Sequence, residues 1–184
     1  LGTLYEGEDG FRPVNLNKAR KLYERACGLP LNLDPTDPKA SLSDPVAIAN
    51  SHTRLACMYG SGQGAPLDLE KKVHHLRQAA SLTLGGLGHR GFVGESERAE
   101  TQRDIAAQAN YNLAIAYQQG TGVPRDFSLA RKHYEKAVEQ GQQEALFNLA
   151  NMYGRGEGMA APNPVKQLEY FEKAARRGLL PGQV

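Results

Sequence analysis

The chain has 184 residues, with 22 Lys and Arg against 20 Asp and Glu, so its formal net charge is only +2. This balance gives no broad attraction to phosphate backbones or anionic lipids, and the basic residues form no cluster, so we expect no nucleic-acid partner. No segment approaches the roughly 18 consecutive apolar residues of a membrane span, so we expect a soluble protein without membrane insertion.

The start of the chain gives little information about its compartment. It begins at Leu1 and shows no signal-peptide pattern, so we interpret it as part of a longer or processed chain, or of a larger complex. Two cysteines are too few for a disulfide-stapled secreted scaffold. The composition therefore favours the cytoplasm or an organellar interior such as the mitochondrial one over secretion, and the compartment stays open.

The main pattern is an internal repeat anchored on tyrosine. An apolar residue and a small residue precede each tyrosine by four and three positions, and two glycines follow the last three tyrosines at fixed offsets. The four segments are Leu1 to Tyr5, Leu55 to Tyr59, Leu113 to Tyr117 and Leu149 to Tyr153, and the glycines are Gly62 and Gly64, Gly120 and Gly122, Gly156 and Gly158. Such glycines end a helix and turn the chain.

A second helical run follows each turn. It opens with a short polar residue that is eleven positions before an alanine, and an apolar side chain, aromatic in three copies, lies three positions before that alanine. The polar residues, expected to be N-caps, are Asn15, Asp68, Asp126 and Asn163; the alanines are Ala26, Ala79, Ala137 and Ala174; and the apolar residues are Tyr23, Leu76, Tyr134 and Phe171. Each unit is therefore predicted to be an antiparallel helix pair, which buries its apolar faces only by stacking on its neighbours.

Two inserts interrupt the simple period. The tyrosines are 54, 58 and 36 residues apart, so about 18 and 22 extra residues separate the first three copies. We predict repeat one over 1–28 (partial), a Pro-rich insert over 29–44, repeat two over 45–84, a Gly-rich insert over 85–95, repeat three with a lengthened first helix over 96–141, and repeat four over 142–180. Asp44 and Pro45 look like an N-cap followed by a first-turn proline.

The repeat resembles the Sel1-like repeat, a relative of the tetratricopeptide repeat. Repeat three carries the resemblance best, from Ala109 through Tyr117, Gly120, Gly122 and Val123 to Asp126. The resemblance implies an all-α fold over 1–184, a single right-handed α-solenoid of stacked antiparallel helix pairs. It also implies a non-enzymatic adaptor or scaffold that binds proteins.

No motif assembles a catalytic or metal site. His75 and His133 occupy the repeat position that holds Leu22 and Tyr170 in the other copies, which favours a structural role for both. The glycines of 85–91 have no phosphate-loop context, and we interpret them as a flexible insert, with anion binding by His89 and Arg90 as the alternative. Cys27 and Cys57 are interpreted as half-buried thiols, with a disulfide as the alternative. We expect no cofactor and no metal.

The leading functional hypothesis is a scaffold that binds a protein partner on its concave face. The alternatives are a structural subunit of a large, possibly organellar, assembly with the inserts as contacts, and, remotely, a hydrolase of the penicillin-binding type known among cysteine-rich relatives. By analogy with tetratricopeptide arrays, the partner-binding residues are predicted to be Asn50, Thr53, Cys57, Gln108, Tyr111, Ile115, Gln118, Gln119, Glu144, Phe147, Asn151 and Arg155. Tyr111 and Phe147 could instead pack between neighbouring helices.

Overall fold

The computed structural model describes residues 15–28, 45–82 and 95–178. Helices and turns account for the structure of these ranges, in which no strand occurs, so the prediction of an all-α fold is confirmed. The helices are α1 (Leu16–Cys27), α2 (Pro45–Ser61), α3 (Leu69–Leu82), α4 (Glu95–Gln119), α5 (Phe127–Glu139), α6 (Ala145–Arg155) and α7 (Pro164–Arg176). The first helix of repeat one, Asp44, His89 and Arg90 lie outside the described residues.

The chain forms two compact units, one over residues 1–105 and the other over residues 106–184. The first contains α1, the α2–α3 pair and the beginning of α4. The second contains the remainder of α4, which pairs with α5, and the α6–α7 pair. The repeat tyrosine lies near the end of α2, α4 and α6, which are therefore the first helices of repeats two, three and four.

All four predicted N-caps are confirmed. Each side-chain oxygen accepts a hydrogen bond from a backbone N–H three residues later, which is one of the donors that the first turn of a helix leaves unpaired. The four bonds run from Lys18 N to Asn15 at 3.0 Å, Lys71 N to Asp68 at 2.9 Å, Leu129 N to Asp126 at 2.9 Å and Lys166 N to Asn163 at 3.0 Å. The second helix of every repeat therefore begins where the sequence predicts.

The glycine turns also match the prediction. All six glycines have φ between +72° and +74°, a left-handed conformation that favours glycine. Within each unit, the second glycine of one turn lies closely against the second helix of the preceding repeat, Gly64 against α1 and Gly158 against α5. A Cβ on Gly64 would come within 2.6 Å of Leu16 Cβ, and one on Gly158 would overlap the backbone of Phe127. These turns therefore join consecutive repeats as well as the two helices of one repeat.

A polar contact joins α1 to repeat two within the first unit. Arg20 donates from Nε to the carbonyl of Gly64 at 3.1 Å and forms an ion pair with Glu24 at 2.7 Å. The hydroxyl of Tyr59, the repeat tyrosine, donates to the same Glu24 carboxylate at 3.1 Å. Beneath these contacts Tyr23 and Leu55 are buried together.

The second unit repeats this contact with equivalent residues. Arg131 donates to the carbonyl of Gly158 at 3.4 Å and pairs with Glu135 at 2.6 Å, while Tyr153 donates to Glu135 at 2.8 Å. Arg and Glu occupy the positions six and two before the repeat alanine in repeats one and three. The same four groups therefore hold the turn and the tyrosine of the following repeat in both units.

Small residues allow the helices of the second unit to approach closely. Ala114 and Ala150, the small residues of repeats three and four, are fully buried, as the pattern predicts. Ala114 belongs to a core formed with Tyr134, Leu149 and Met152, from three different helices. This core fixes the orientation of α4 and α6, and thereby of their outer faces, which carry Gln108 and Gln119 on α4 and Asn151 and Arg155 on α6.

Candidate interaction surface

In repeats two, three and four the repeat tyrosine stacks on a ring from the second helix of the same repeat. Parallel pairs form between Tyr59 and His75 at 5.6 Å, Tyr117 and His133 at 5.5 Å, and Tyr153 and Tyr170 at 5.4 Å between ring centroids. The histidines therefore occupy the place of a tyrosine, which agrees with their predicted structural role. This layer of rings lies between the two helices of a repeat.

Tyr111 and Ile115 contribute an apolar strip to α4 in the second unit. Both side chains are half-buried and pack against the core below. The Tyr111 ring meets Tyr134 edge-on at 5.9 Å, and its hydroxyl accepts a hydrogen bond from Asn148 Nδ2 at 3.4 Å. Burial raises the pKa of Tyr111, so the hydroxyl keeps its proton at neutral pH and can donate to a ligand.

The glutamines predicted on α4 divide into two kinds. Gln118 accepts a hydrogen bond from Tyr134 at 2.9 Å and donates to Glu157 at 3.4 Å, so its amide connects parts of the fold. Gln119 is exposed and Gln108 is half-buried, with Gln142 Nε2 3.5 Å from its carbonyl oxygen. Gln108 and Gln119 are therefore more available to a partner than Gln118.

The residues predicted at α6 also divide into one that packs within the fold and three that are exposed. Phe147 is only 9% exposed, and its ring packs against Phe171 at 5.7 Å and beside Ala174, as the alternative interpretation of this aromatic requires. Glu144 is exposed and accepts from Gln142 at 2.9 Å. Asn151 and Arg155 are exposed, and Arg155 lies 3.7 Å from Glu157, a weak surface pair.

The predicted residues of repeat two lie on α2 in the first unit. Asn50 is exposed, and Thr53 is half-buried with its hydroxyl donating to the Ala49 carbonyl at 3.0 Å.

The expectation that both cysteines are half-buried is wrong for Cys57, which is exposed because its position faces outward from α2. Cys27 is half-buried, and burial raises the pKa of its thiol to about 11. Both thiols are free.

Two asparagines on this surface were not predicted. Asn112 and Asn148 lie five residues before the repeat tyrosine in repeats three and four, and both are half-buried. Their recurrence at one repeat position was a signal available in the sequence. Together with Gln108, Gln119 and Asn151 they make the outer faces of α4 and α6 rich in amide groups.

On α4 and α6 this surface offers hydrogen-bonding groups beside apolar side chains. Amides can donate to and accept from a peptide backbone, and the half-buried Tyr111 and Ile115 offer apolar contact. Among residues 15–28, 45–82 and 95–178, no three His, Cys, Asp or Glu side chains form a group that could hold a metal ion. None of the helices in those ranges is both long and apolar enough to cross a membrane.

The helix pairs, glycine turns and repeat tyrosines define a protein built of Sel1-like repeats. The Sel1 repeat model matches residues 1–29, 49–84, 107–142 and 143–179, about three quarters of the chain. The chain belongs to the Sel1 repeat family. Proteins of this family are commonly protein-interaction scaffolds.

A solved structure supports the fold assignment. The crystal structure of a Sel1 repeat protein from Oxalobacter formigenes is 26% identical, with a TM-score of 0.53 over 71% of this chain and 80% of that one.

Three relatives illustrate the range of proteins that contain similar repeats. An uncharacterized protein of Neisseria meningitidis, NMB1327, is 33% identical over 72% of this chain and 30% of its own length. HRD3A of Arabidopsis thaliana, an ERAD-associated E3 ubiquitin-protein ligase component, is 33% identical over 40% of this chain and 12% of its own. Cytochrome c oxidase assembly factor 7A of Xenopus laevis is 28% identical over 77% of this chain and 66% of its own. The chain thus spans less than a third of the first two relatives.

Proposed function

We propose that this chain is a non-enzymatic protein-interaction scaffold that binds its partner on the outer faces of its first helices. The observation that carries the proposal is the amide-rich surface of α4 and α6, whose exposed Gln119, Asn151 and Arg155 are not needed to fill the core. Stable helix pairs hold the backbone at these residues in fixed positions, so binding need not order the chain, although it still orders their exposed side chains. The family, and the HRD3A relative named as a ligase component, support a role in a protein complex.

The chemistry of this surface defines the partner that it suits. Its predicted residues in the second unit include one acid, Glu144, and one base, Arg155, so it has no net charge to select a strongly acidic or basic ligand. Amide groups pair with the main-chain N–H and C=O groups of a polypeptide. We therefore favour a polypeptide partner over a nucleic acid, whose binding depends on a basic surface.

A triple substitution tests this assignment. Changing Gln108, Asn151 and Arg155 to alanine removes polar groups that contribute little to folding, so the variant should melt like the parent. Partners that co-purify with the native chain are identified first, and binding of the principal one to the variant is then measured. We expect affinity to fall about tenfold or more, which corresponds to roughly 1.4 kcal/mol.

A matched control distinguishes this face from the surface in general. Lys132 and Glu139 are exposed on α5, the second helix of repeat three. Alanine at both positions should leave the affinity unchanged. Equal losses in the two variants, or none in either, would contradict the assignment to the first helices.

A second candidate function is a structural role in assembling an organellar complex, with the two inserts as contacts. The similarity to the Xenopus assembly factor, which extends over 77% of this chain, favours it. The inserts, predicted over 29–44 and 85–95, fall almost wholly outside the described residues. Full partner binding by the triple variant, combined with loss of binding when the inserts are shortened, would favour this function over the first.

A further inference from the structure

His52 and His75 form a hydrogen-bonded pair between the two helices of repeat two. His52 Nδ1 on α2 and His75 Nδ1 on α3 are 2.9 Å apart, and their rings are 5.2 Å apart. His52 is only 7% exposed, and the His75 ring is half-buried against Tyr59. A hydrogen bond at this distance needs one nitrogen to donate and the other to accept, so the pair shares a single proton between the two Nδ1 atoms.

Repeat three contains the same contact with a different partner for the histidine. His133 Nδ1 lies 2.9 Å from Asn110 Oδ1, and each of these residues is 58 positions after its counterpart in repeat two. Asn110 Nδ2 donates to the carbonyl of Ala106 and to Gln140 Oε1, both at 2.9 Å, so Oδ1 is left as the acceptor. His133 therefore donates from Nδ1, and a proton added at its Nε2 leaves this bond in place.

Acid has a different effect on the two pairs. In repeat two, a first proton can enter at Nε2 of whichever histidine donates, and the bond survives. A second proton must enter at the accepting Nδ1, and it then sets two N–H groups and two positive charges against each other. Asn110 cannot take up a proton in this range, so repeat three never reaches that state.

We propose that the His52 and His75 pair makes the α2–α3 helix pair an acid-sensitive element, which opens when both imidazoles are protonated. The equivalent contact of repeat three stays closed under the same conditions. Repeat two carries Asn50, Thr53 and Cys57 on α2, so opening would also alter that face of the chain.

The groups around the pair mostly favour its neutral form. Burial is the main cause that lowers the pKa of His75, to about 4, and positive charge on His52, His74 and Lys71 adds to it. Glu24 of α1 acts in the opposite direction. Burial, followed by charge on His74, also lowers the pKa of His52.

The sign of the pH dependence follows from these shifts. The ordinary pKa of 6.5 applies to the unfolded chain, which therefore binds protons more readily than the folded helix pair. The stability that the neutral pair contributes is complete above pH 6.5 and is lost as the pH falls towards 4. At pH 5 we expect opening of α2 and α3 to increase roughly tenfold, less than the full shift of His75 implies because the His75 ring is only half-buried.

Hydrogen exchange of the full chain, followed by mass spectrometry at pH 7 and pH 5, tests the proposal. Rates are corrected for the intrinsic pH dependence of exchange, and peptides from 45–82 are compared with peptides from 127–178 of the same molecule. We expect protection to fall in the first set and to stay constant in the second. Equal loss in both sets would overturn the proposal.

Two variants give the matched controls. His52→Asn introduces the pair found in repeat three, and His75→Tyr introduces the ring that repeat four uses at this position, where Tyr170 stacks on Tyr153. At least one of them should fold like the parent at pH 7, and it should keep its protection over 45–82 at pH 5. A folded variant that remains as acid-sensitive as the parent would show that another group is responsible.

Discussion

Replacing Gly158 with alanine is expected to destabilise the second unit by about 3 kcal/mol or more, the largest effect that we predict for a single substitution. Gly158 has φ +74°, so an alanine there adopts a left-handed conformation that disfavours any Cβ. The added Cβ would also overlap the backbone of Phe127 at the start of α5, and a backbone cannot swing aside as a long side chain can. Chemical denaturation of the variant and the parent measures the difference.

A substitution at Gly62 separates the cost of the left-handed conformation from the cost of the overlap with a neighbouring backbone. The φ of Gly62 is +73°, but a Cβ there would meet nothing closer than 3.7 Å. Gly62→Ala should therefore show only the conformational part, about 1 to 2 kcal/mol. If Gly158→Ala costs no more than Gly62→Ala, the turn does not pack against the preceding repeat as described.

Ala114→Leu is expected to destabilise the second unit by about 1 to 3 kcal/mol. Ala114 is fully buried in the core that contains Tyr134 and Leu149, and the three added carbons have no space unless α4 moves away from its neighbours. Leucine is itself a good helix former, so helix propensity does not explain a loss of this size. The measurement is again the free energy of unfolding from chemical denaturation.

Ala175 is the matched position for this substitution. It is exposed on α7 in the same unit, and leucine there should change the free energy of unfolding by less than about 0.5 kcal/mol. An unchanged denaturation midpoint for Ala114→Leu would mean that this face of α4 is not the packed one.

Local features of the fold could be predicted from the sequence because they depend on residues close together in the chain. An N-cap such as Asp126 acts on a backbone group three residues away, and a glycine such as Gly120 determines its own backbone angle. The recurrence of the repeat then predicts the pairing of helices, because one alignment fixes which residues are equivalent. The fully buried Ala114 and Ala150 are examples of burial predicted in this way.

Contacts between distant residues could not be predicted in the same way. The bond from Arg131 to the Gly158 carbonyl joins residues 27 apart, and the pair of His52 and His75 joins residues 23 apart. Their formation depends on the register in which neighbouring helices cross, which residue spacing alone does not determine. Cys57 was expected to be half-buried because it is small, yet it is exposed, which agrees better with its predicted place on the partner-binding face.

Site-specific photocrosslinking gives the most direct test of the central claim, that a protein partner binds the outer faces of the first helices. A photoreactive amino acid is introduced at Asn151, which is exposed on α6, or at Lys132, which is exposed on α5. We predict covalent capture of the co-purifying partner from position 151 and none from position 132. Capture from position 132 alone would contradict the account and would assign binding to the second helices.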